Sequence, residues 1–149
     1  TRERGAIFRR GAGTRAARAA IEALNVSATG PEALARELSG GNLQKFILAR
    51  ELSKGAPLLV VEQPTQGLDV LAVSEVRAAI ARAAQGPESA AVVLVTGDPA
   101  EALGLARRVA VMFRGRILDV VDAAEAEAFE RVGRLMAGIV DAPAGEAAA

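Results

Sequence analysis

The chain has 149 residues, 51% of them hydrophobic, and its 18 basic residues balance its 18 acidic residues. This apolar content supports a folded core and excludes general intrinsic disorder, while the zero net charge argues against nucleic acid as a partner. The sequence contains no cysteine and no histidine, which excludes disulfides, Cys/His zinc sites and His-based catalytic triads.

Hydrophobic periodicity and turn residues predict helices that alternate with short strands. The predicted helices, in chain order, are 14–24, 32–38, 42–53, 70–84, 99–107 and 123–136. The predicted strands are 58–61, 91–95, 109–112 and 117–121, the last two forming a hairpin with Gly115 in its turn. The first two strands are continuous apolar runs, which are typical of strands covered on both faces. This alternation predicts an α/β fold with mostly parallel core strands.

Two details of the helices are also predicted. Thr14 is expected to cap the first helix, and Pro31 to open the second. The third helix is expected to turn Leu43, Phe46 and Ile47 to one apolar stripe.

The turn Ser39-Gly40-Gly41-Asn42 opens the third predicted helix. Such a turn exposes backbone N–H groups at the positive end of the helix dipole, and glycine lets a phosphate approach the backbone closely. Taken alone, the same residues also fit an ordinary helix start that is capped by Ser39 or Asn42.

Polar residues also follow the first two strands. Glu62 and Gln63 end the first, at the sheet edge where ligands of open α/β sheets sit, and a carboxylate there can hold Mg²⁺ through water. Solvation of a strand end explains the same pair equally well. Gly67-Leu68-Asp69 precedes the next helix, which Asp69 is expected to cap. Gly97 and Asp98 follow the second strand, where a plain loop is the alternative.

In their order and spacing these segments resemble the motifs of ABC ATPases. Residues 38–45 resemble the signature motif, and residues 58–63 resemble the Walker B strand. Residues 67–69 resemble the D-loop and 95–98 the switch region. Glu62 follows Ser39 by 23 residues, a spacing that the family also shows.

The resemblance covers about residues 15–120 and implies the P-loop NTPase-type fold of ABC ATPases. No GxxxxGK[ST] occurs in the sequence, so the P-loop strand and helix are missing and the chain is expected to be the C-terminal portion of one ATP-binding domain. The predicted organisation is a loop in 1–13, part of the helical subdomain in 14–53, an α/β core in 54–122, a C-terminal helix in 123–140 and a disordered tail in 141–149.

The stretches LSGGNLQKFILAREL and EQPTQGLDV look like the second ATP-binding half of duplicated sugar and nucleoside importers, with the nucleoside branch favoured. By that resemblance Glu62 occupies the place of the Walker B Asp and is a Mg²⁺ ligand through water. Gln63 stands at the place of the hydrolytic Glu, and Gly97 at the place of the switch His. Because an amide cannot accept a proton from water, and losing a general base typically costs about 10²–10⁴ in rate, the chain's own site is predicted to be degenerate.

In ABC dimers the signature of one half closes over the nucleotide held by the other half. The resemblance therefore implies that Ser39, Gly40, Gly41 and Asn42 bind nucleotide at a partner site. The implied cofactors are ATP and Mg²⁺. The implied partners are the other ATP-binding half, membrane permease subunits and, indirectly, an extracytoplasmic binding protein, at the cytoplasmic face of the membrane. The isolated chain is expected to be inactive.

Two other functions remain open. A non-catalytic regulatory module could keep the fold and lose hydrolysis, which Gln63 and Gly97 favour for this half. A DNA-repair or chromosome-type ABC ATPase shares the signature and Walker B motifs, but charge neutrality and the lack of heptads count against it. The flanking sequence discriminates these alternatives, because a second set of ATPase motifs indicates the importer.

Overall fold

A computed structural model describes residues 10–85 and 89–140. Residues 1–9 of the loop predicted for 1–13 lie outside the described residues, as does the tail predicted for 141–149. Residues 10–13 of that predicted loop are helical, so the prediction is wrong there. The chain divides into two compact units between Val93 and Leu94.

The described elements follow the predicted alternation. The helices are α1 (Arg10–Ala23), α2 (Gly40–Leu52), α3 (Val70–Ala83), α4 (Pro99–Leu105) and α5 (Ala128–Met136). The strands are β1 (Leu58–Glu62), β2 (Ala91–Val95), β3 (Arg108–Phe113) and β4 (Arg116–Asp122). β1 and β2 form one sheet, with α3 as the crossover that makes them parallel, and β3 and β4 form an antiparallel pair. The predicted α/β fold class is confirmed.

The first unit has a core between its helices and one face of β1. The buried apolar residues of this core are Ala20, Leu24, Val26, Leu48, Ala49, Val76, Ala79 and Ile80. Side chains alternate across a strand, so Val61 packs against the core while Leu58 and Val60 point away and are 53% and 62% exposed. Val93 and Val95 of β2 are each 48% exposed. The prediction that β1 and β2 are covered on both faces is therefore wrong for the described residues.

Local hydrogen bonds explain why some helix boundaries differ from the predicted ones. α1 begins at Arg10, so Thr14 lies inside it and its hydroxyl donates to Glu32 (2.8 Å) instead of capping the helix. The segment 32–38 forms only a 3₁₀ turn, Ala35–Glu37, because Leu38 is extended (φ −79°, ψ 140°) and ends it.

α5 begins at Ala128 and not at 123. The Asp122 carboxylate accepts a hydrogen bond from the Ala124 N–H (3.0 Å), and the Glu125 carboxylate accepts one from the Asp122 N–H (3.2 Å). These side chains close a turn where the Ala-rich sequence favours helix, since Asp bonded to nearby backbone competes with helical hydrogen bonds.

The second unit is built on the β3–β4 hairpin and α5. Arg114 (φ 48°) and Gly115 (φ 77°) form its two-residue turn, and two positive φ values are the signature of the type I′ turn that matches strand twist. The buried core consists of Val111, Val121, Ala128, Val132 and Leu135. No helix within the described ranges is long and apolar enough to cross a membrane.

Candidate functional site

The predicted phosphate-binding turn lies at the N-terminus of α2, with Ser39 as its N-cap. The Ser39 hydroxyl accepts hydrogen bonds from the backbone N–H of Asn42 (3.4 Å) and from its side-chain amide (2.9 Å). The Asn42 carbonyl oxygen Oδ1 in turn accepts from the Ser27 N–H (2.8 Å). Asn42 thus ties the helix start to the loop that follows α1, and the capping function of Ser39 is present.

Gly40 and Gly41 form the first turn of α2, where N–H groups have no intrahelical acceptor. A Cβ added at Gly40 would meet nothing within 4 Å, so the helix end is open there. At Gly41 a Cβ would lie 3.1 Å from Leu68 Cδ2, which is tight but involves a flexible side chain. The second glycine of the signature therefore adjoins the D-loop segment of the same chain.

The D-loop segment turns at Gly67 (φ 73°) and enters α3 at Asp69. The Asp69 carboxylate accepts a hydrogen bond from the Ala72 N–H (2.9 Å), which confirms the predicted N-cap. Gly67 supplies a positive φ that side chains rarely adopt.

The end of β1 is joined to α2 by a side chain that the sequence analysis did not single out. Glu62 is exposed at the strand end, and Gln63 takes a left-handed backbone conformation (φ 46°). The side-chain amide of Gln44 donates to the carbonyl oxygens of Gln63 (2.9 Å) and Pro64 (2.8 Å). The available signal was spacing, since Gln44 lies three residues after Gly41 and so shares its helix face.

Lys45 is a second residue that the sequence analysis missed. It is only 7% exposed, whereas Ile47 of the predicted stripe is 43% exposed. Phe46 of that stripe packs against the core as predicted, so the prediction is wrong for Ile47. The Lys45 ammonium donates to the Asn25 carbonyl (2.9 Å) and to the Glu75 carboxylate (2.9 Å), and the Asn25 side-chain amide donates to the other Glu75 oxygen (2.9 Å). The cluster fastens α2 to α3 and to the loop after α1.

The hydrogen bonds from Lys45 and Asn25 lower the pKa of Glu75 below its ordinary value of 4.5. A carboxylate with a lowered folded-state pKa adds stability that is present above the unfolded pKa and is lost as pH falls through the folded one. We expect the Glu75→Gln variant to lose less unfolding free energy than the wild type on acidification below pH 4.5. Hydrogen exchange of α2 and α3 amides at graded urea concentrations measures this.

The matched control is Glu51→Gln. The Glu51 pKa is also lowered, by Lys54 and Arg50, but these three side chains lie at the surface. Salt screens exposed pairs more than shielded ones. The Glu75 contribution should therefore persist at about 0.5 M salt, where the Glu51 contribution should fade. Equal salt sensitivity of the two variants would contradict this prediction.

Gly97 belongs to the second unit, in the turn between β2 and α4. The Thr96 hydroxyl before it donates to Glu101 (2.7 Å), which is 1% exposed, and accepts from the Asp98 N–H (3.1 Å). This network orders the turn, but Gly97 itself presents no side chain. The candidate residues that the structure brings together within the first unit are those of the signature, of the β1 end and of the D-loop.

Glu62 is the one predicted metal ligand. Among the described residues, no group of three or more Asp or Glu side chains is placed so that it could hold a metal ion. Mg²⁺ in nucleotide sites is held by one or two carboxylates together with phosphates and waters. A single exposed carboxylate at the strand end fits that role alongside a bound nucleotide.

Relatives of this chain are import ATP-binding proteins. It is 42% identical over 130 residues to the glucose import ATP-binding protein of Haloferax volcanii, covering 86% of this chain and 23% of that protein. It is 42% identical over 113 residues to the guanosine import ATP-binding protein of Bacillus subtilis, covering 76% of this chain and 22% of that protein. The chain is a homologue of the ATP-binding proteins of ABC importers. No protein-family model matches the sequence.

Solved structures agree with this ABC homology at the level of the fold. An ATP-binding subunit of an ABC transporter superposes with a TM-score of 0.63 over 87% of this chain, at 18% identity. A metal-chelate type ABC transporter in an inward-facing conformation gives a TM-score of 0.63 over 80% of the chain, at 20% identity. This chain spans less than a quarter of the length of the two curated relatives named above and matches their C-terminal part.

Proposed function

We propose that this chain is part of the ATP-binding component of an importer for sugars or nucleosides, and that it donates its signature motif to an ATP site on a partner half. The observation that carries the proposal is the open, Ser39-capped start of α2 at Gly40 and Gly41. Free N–H groups, the positive helix end and the lack of side-chain bulk together favour a phosphate.

The chain's own site is proposed to be degenerate. Gln63 follows the strand end where a general base would be needed, and its amide cannot take a proton from water. Gly97 offers no side chain to a γ-phosphate. Both departures remove chemistry without disturbing the signature, so this half would contribute to a site whose P-loop and hydrolytic residues lie elsewhere.

The proposed cofactors are ATP and Mg²⁺, and Glu62 would hold the Mg²⁺ through water. The proposed partners are a second ATP-binding half, permease subunits in the membrane and, through them, an extracytoplasmic binding protein. The relatives are named for import of glucose, ribose, arabinose and guanosine, which supports sugars or nucleosides as the solute class. The protein would act at the cytoplasmic face of the membrane.

Steady-state ATP hydrolysis tests the degenerate site, in the full-length protein assembled with its permeases in vesicles. We expect Gln63→Ala to change turnover by less than about twofold. Loss of a general base normally lowers the rate by about 10²–10⁴, but in this proposal position 63 already lacks one. Gln63→Glu should give little gain while Gly97 is unchanged. Addition of binding protein with a sugar or nucleoside should stimulate hydrolysis.

A loss of about 10² or more in Gln63→Ala would contradict the degenerate-site proposal, since it would assign this residue a role in hydrolysis. Absence of ATP turnover from the assembly, with the protein folded, would instead favour the regulatory-module alternative. The two outcomes are separable because the first changes turnover on substitution and the second shows none in the wild type.

A further inference from the structure

The side chain of Gln44 makes an unusual bridge between two segments of the first unit. Its amide nitrogen has two N–H groups, and they are directed to two consecutive main-chain carbonyls, those of Gln63 and Pro64. Because carbonyl oxygens only accept hydrogen bonds, only the nitrogen end of the amide satisfies both. The contact therefore requires a donor and not merely a side chain of this size.

The turn that Gln44 holds is conformationally demanding. Gln63 lies at φ 46°, a region that costs free energy for residues other than glycine and persists where surroundings enforce it. Its carbonyl accepts a second hydrogen bond from the Gln66 N–H (3.2 Å), so both lone pairs are used. Gln44 thus connects α2 to the backbone of the turn, whatever side chain stands at position 63.

A second contact joins the same two segments. Gly41, one turn before Gln44 on α2, faces Leu68 at the far end of the turn, and a Cβ added at Gly41 would lie 3.1 Å from Leu68 Cδ2. The first two turns of α2 therefore touch residues 63–68 at both ends. A shift of this segment would move the start of α2, because the hydrogen bonds at one end and the packing contact at the other connect them.

We infer that Gln44 is a positioning residue that sets the orientation of the signature relative to the end of β1. The inference rests on the proposed function, in which these two places serve two different ATP sites. Through Gln44, a displacement of the turn after β1 at the chain's own site is passed to the signature that closes on the partner site. The degenerate half would then keep a regulatory influence without hydrolysing ATP.

Three substitutions distinguish hydrogen-bond donation by Gln44 from a role of its side-chain length alone. Gln44→Met keeps the length without a donor, Gln44→Glu places acceptors against acceptors, and Gln44→Lys restores a donor. In the full-length assembled protein we expect Gln44→Met to lower the ATP turnover rate about tenfold, in line with the loss of two neutral hydrogen bonds. Glu should lower it further, and Lys should recover part of the loss. The dissociation constant of a fluorescent ATP analogue should stay within about twofold, as initial binding involves the partner's P-loop.

Gln85→Glu, on an exposed residue after α3, controls for the added charge and should leave turnover unchanged. Wild-type turnover in Gln44→Met would overturn the inference. A fall in ATP-analogue affinity parallel to turnover, or a lowered melting temperature without rescue by Lys, would also overturn it, since the contact would then be a general stabilising one. Gly41→Asp in the same assembly separates the two proposals: if it leaves turnover intact, the signature proposal itself fails.

Discussion

Gly41→Asp should reduce ATP turnover of the assembled, full-length protein by more than about 100-fold. Two unit charges about 4 Å apart repel by about 4 kcal/mol at the effective dielectric of a protein surface, and each 1.4 kcal/mol is tenfold. A carboxylate in the first turn of α2 interacts favourably with the helix dipole, so the helix should form. The defect should come from repulsion between this carboxylate and the nucleotide phosphate at the proposed partner site. The measurement is the steady-state hydrolysis rate, with the melting temperature as the check on folding.

Gly41→Ala is the matched control for bulk. Its Cβ would lie 3.1 Å from Leu68 Cδ2, and the flexible leucine needs to give by only a few tenths of an ångström. We expect a loss of less than about tenfold, because small overpacking typically costs about 1–3 kcal/mol and a mobile end relieves part of it. Equal damage by Ala and Asp would assign the defect to packing against Leu68 and would contradict phosphate contact by the signature.

Gly138→Ala should destabilise the second unit by about 2–5 kcal/mol, the sum of left-handed strain and overpacking. Gly138 ends α5 with φ 79°, and its N–H donates to Leu135 O (2.9 Å) as in a Schellman motif. An added Cβ would lie 2.7 Å from the Phe113 ring. The Arg114 guanidinium lies over that ring, 5.2 Å from its centroid.

Gly115→Ala gives the strain without the clash. Gly115 has nearly the same φ (77°), but nothing lies within 4 Å of its Cβ position. We expect it to cost about 1–2 kcal/mol. Hydrogen exchange of α5 and β3 amides in urea measures both variants. Equal losses at the two positions would show that the Phe113 contact adds nothing.

Element positions were predictable where the signal is local. The apolar run 91–95 coincides with β2, and Gly115 lies in the hairpin turn, because strand length and turn type depend on adjacent residues. The start of α5 was not predictable, because the side chains of Asp122 and Glu125 form hydrogen bonds with nearby backbone and replace the first helical turn. Helical periodicity contains no information on that competition.

The sequence by itself determined the resemblance to ABC ATPases, the order of the matching motifs and the predicted departures at Gln63 and Gly97. It did so because each motif is a short run whose residue types carry its chemistry. Only the tertiary structure decided that hydrogen bonds from Gln44 and Lys45 connect α2 to the turn after β1, to α3 and to the loop after α1. Their acceptors lie 19 to 30 residues away along the chain, and the backbone carbonyls among them carry no side-chain identity that a sequence pattern could show.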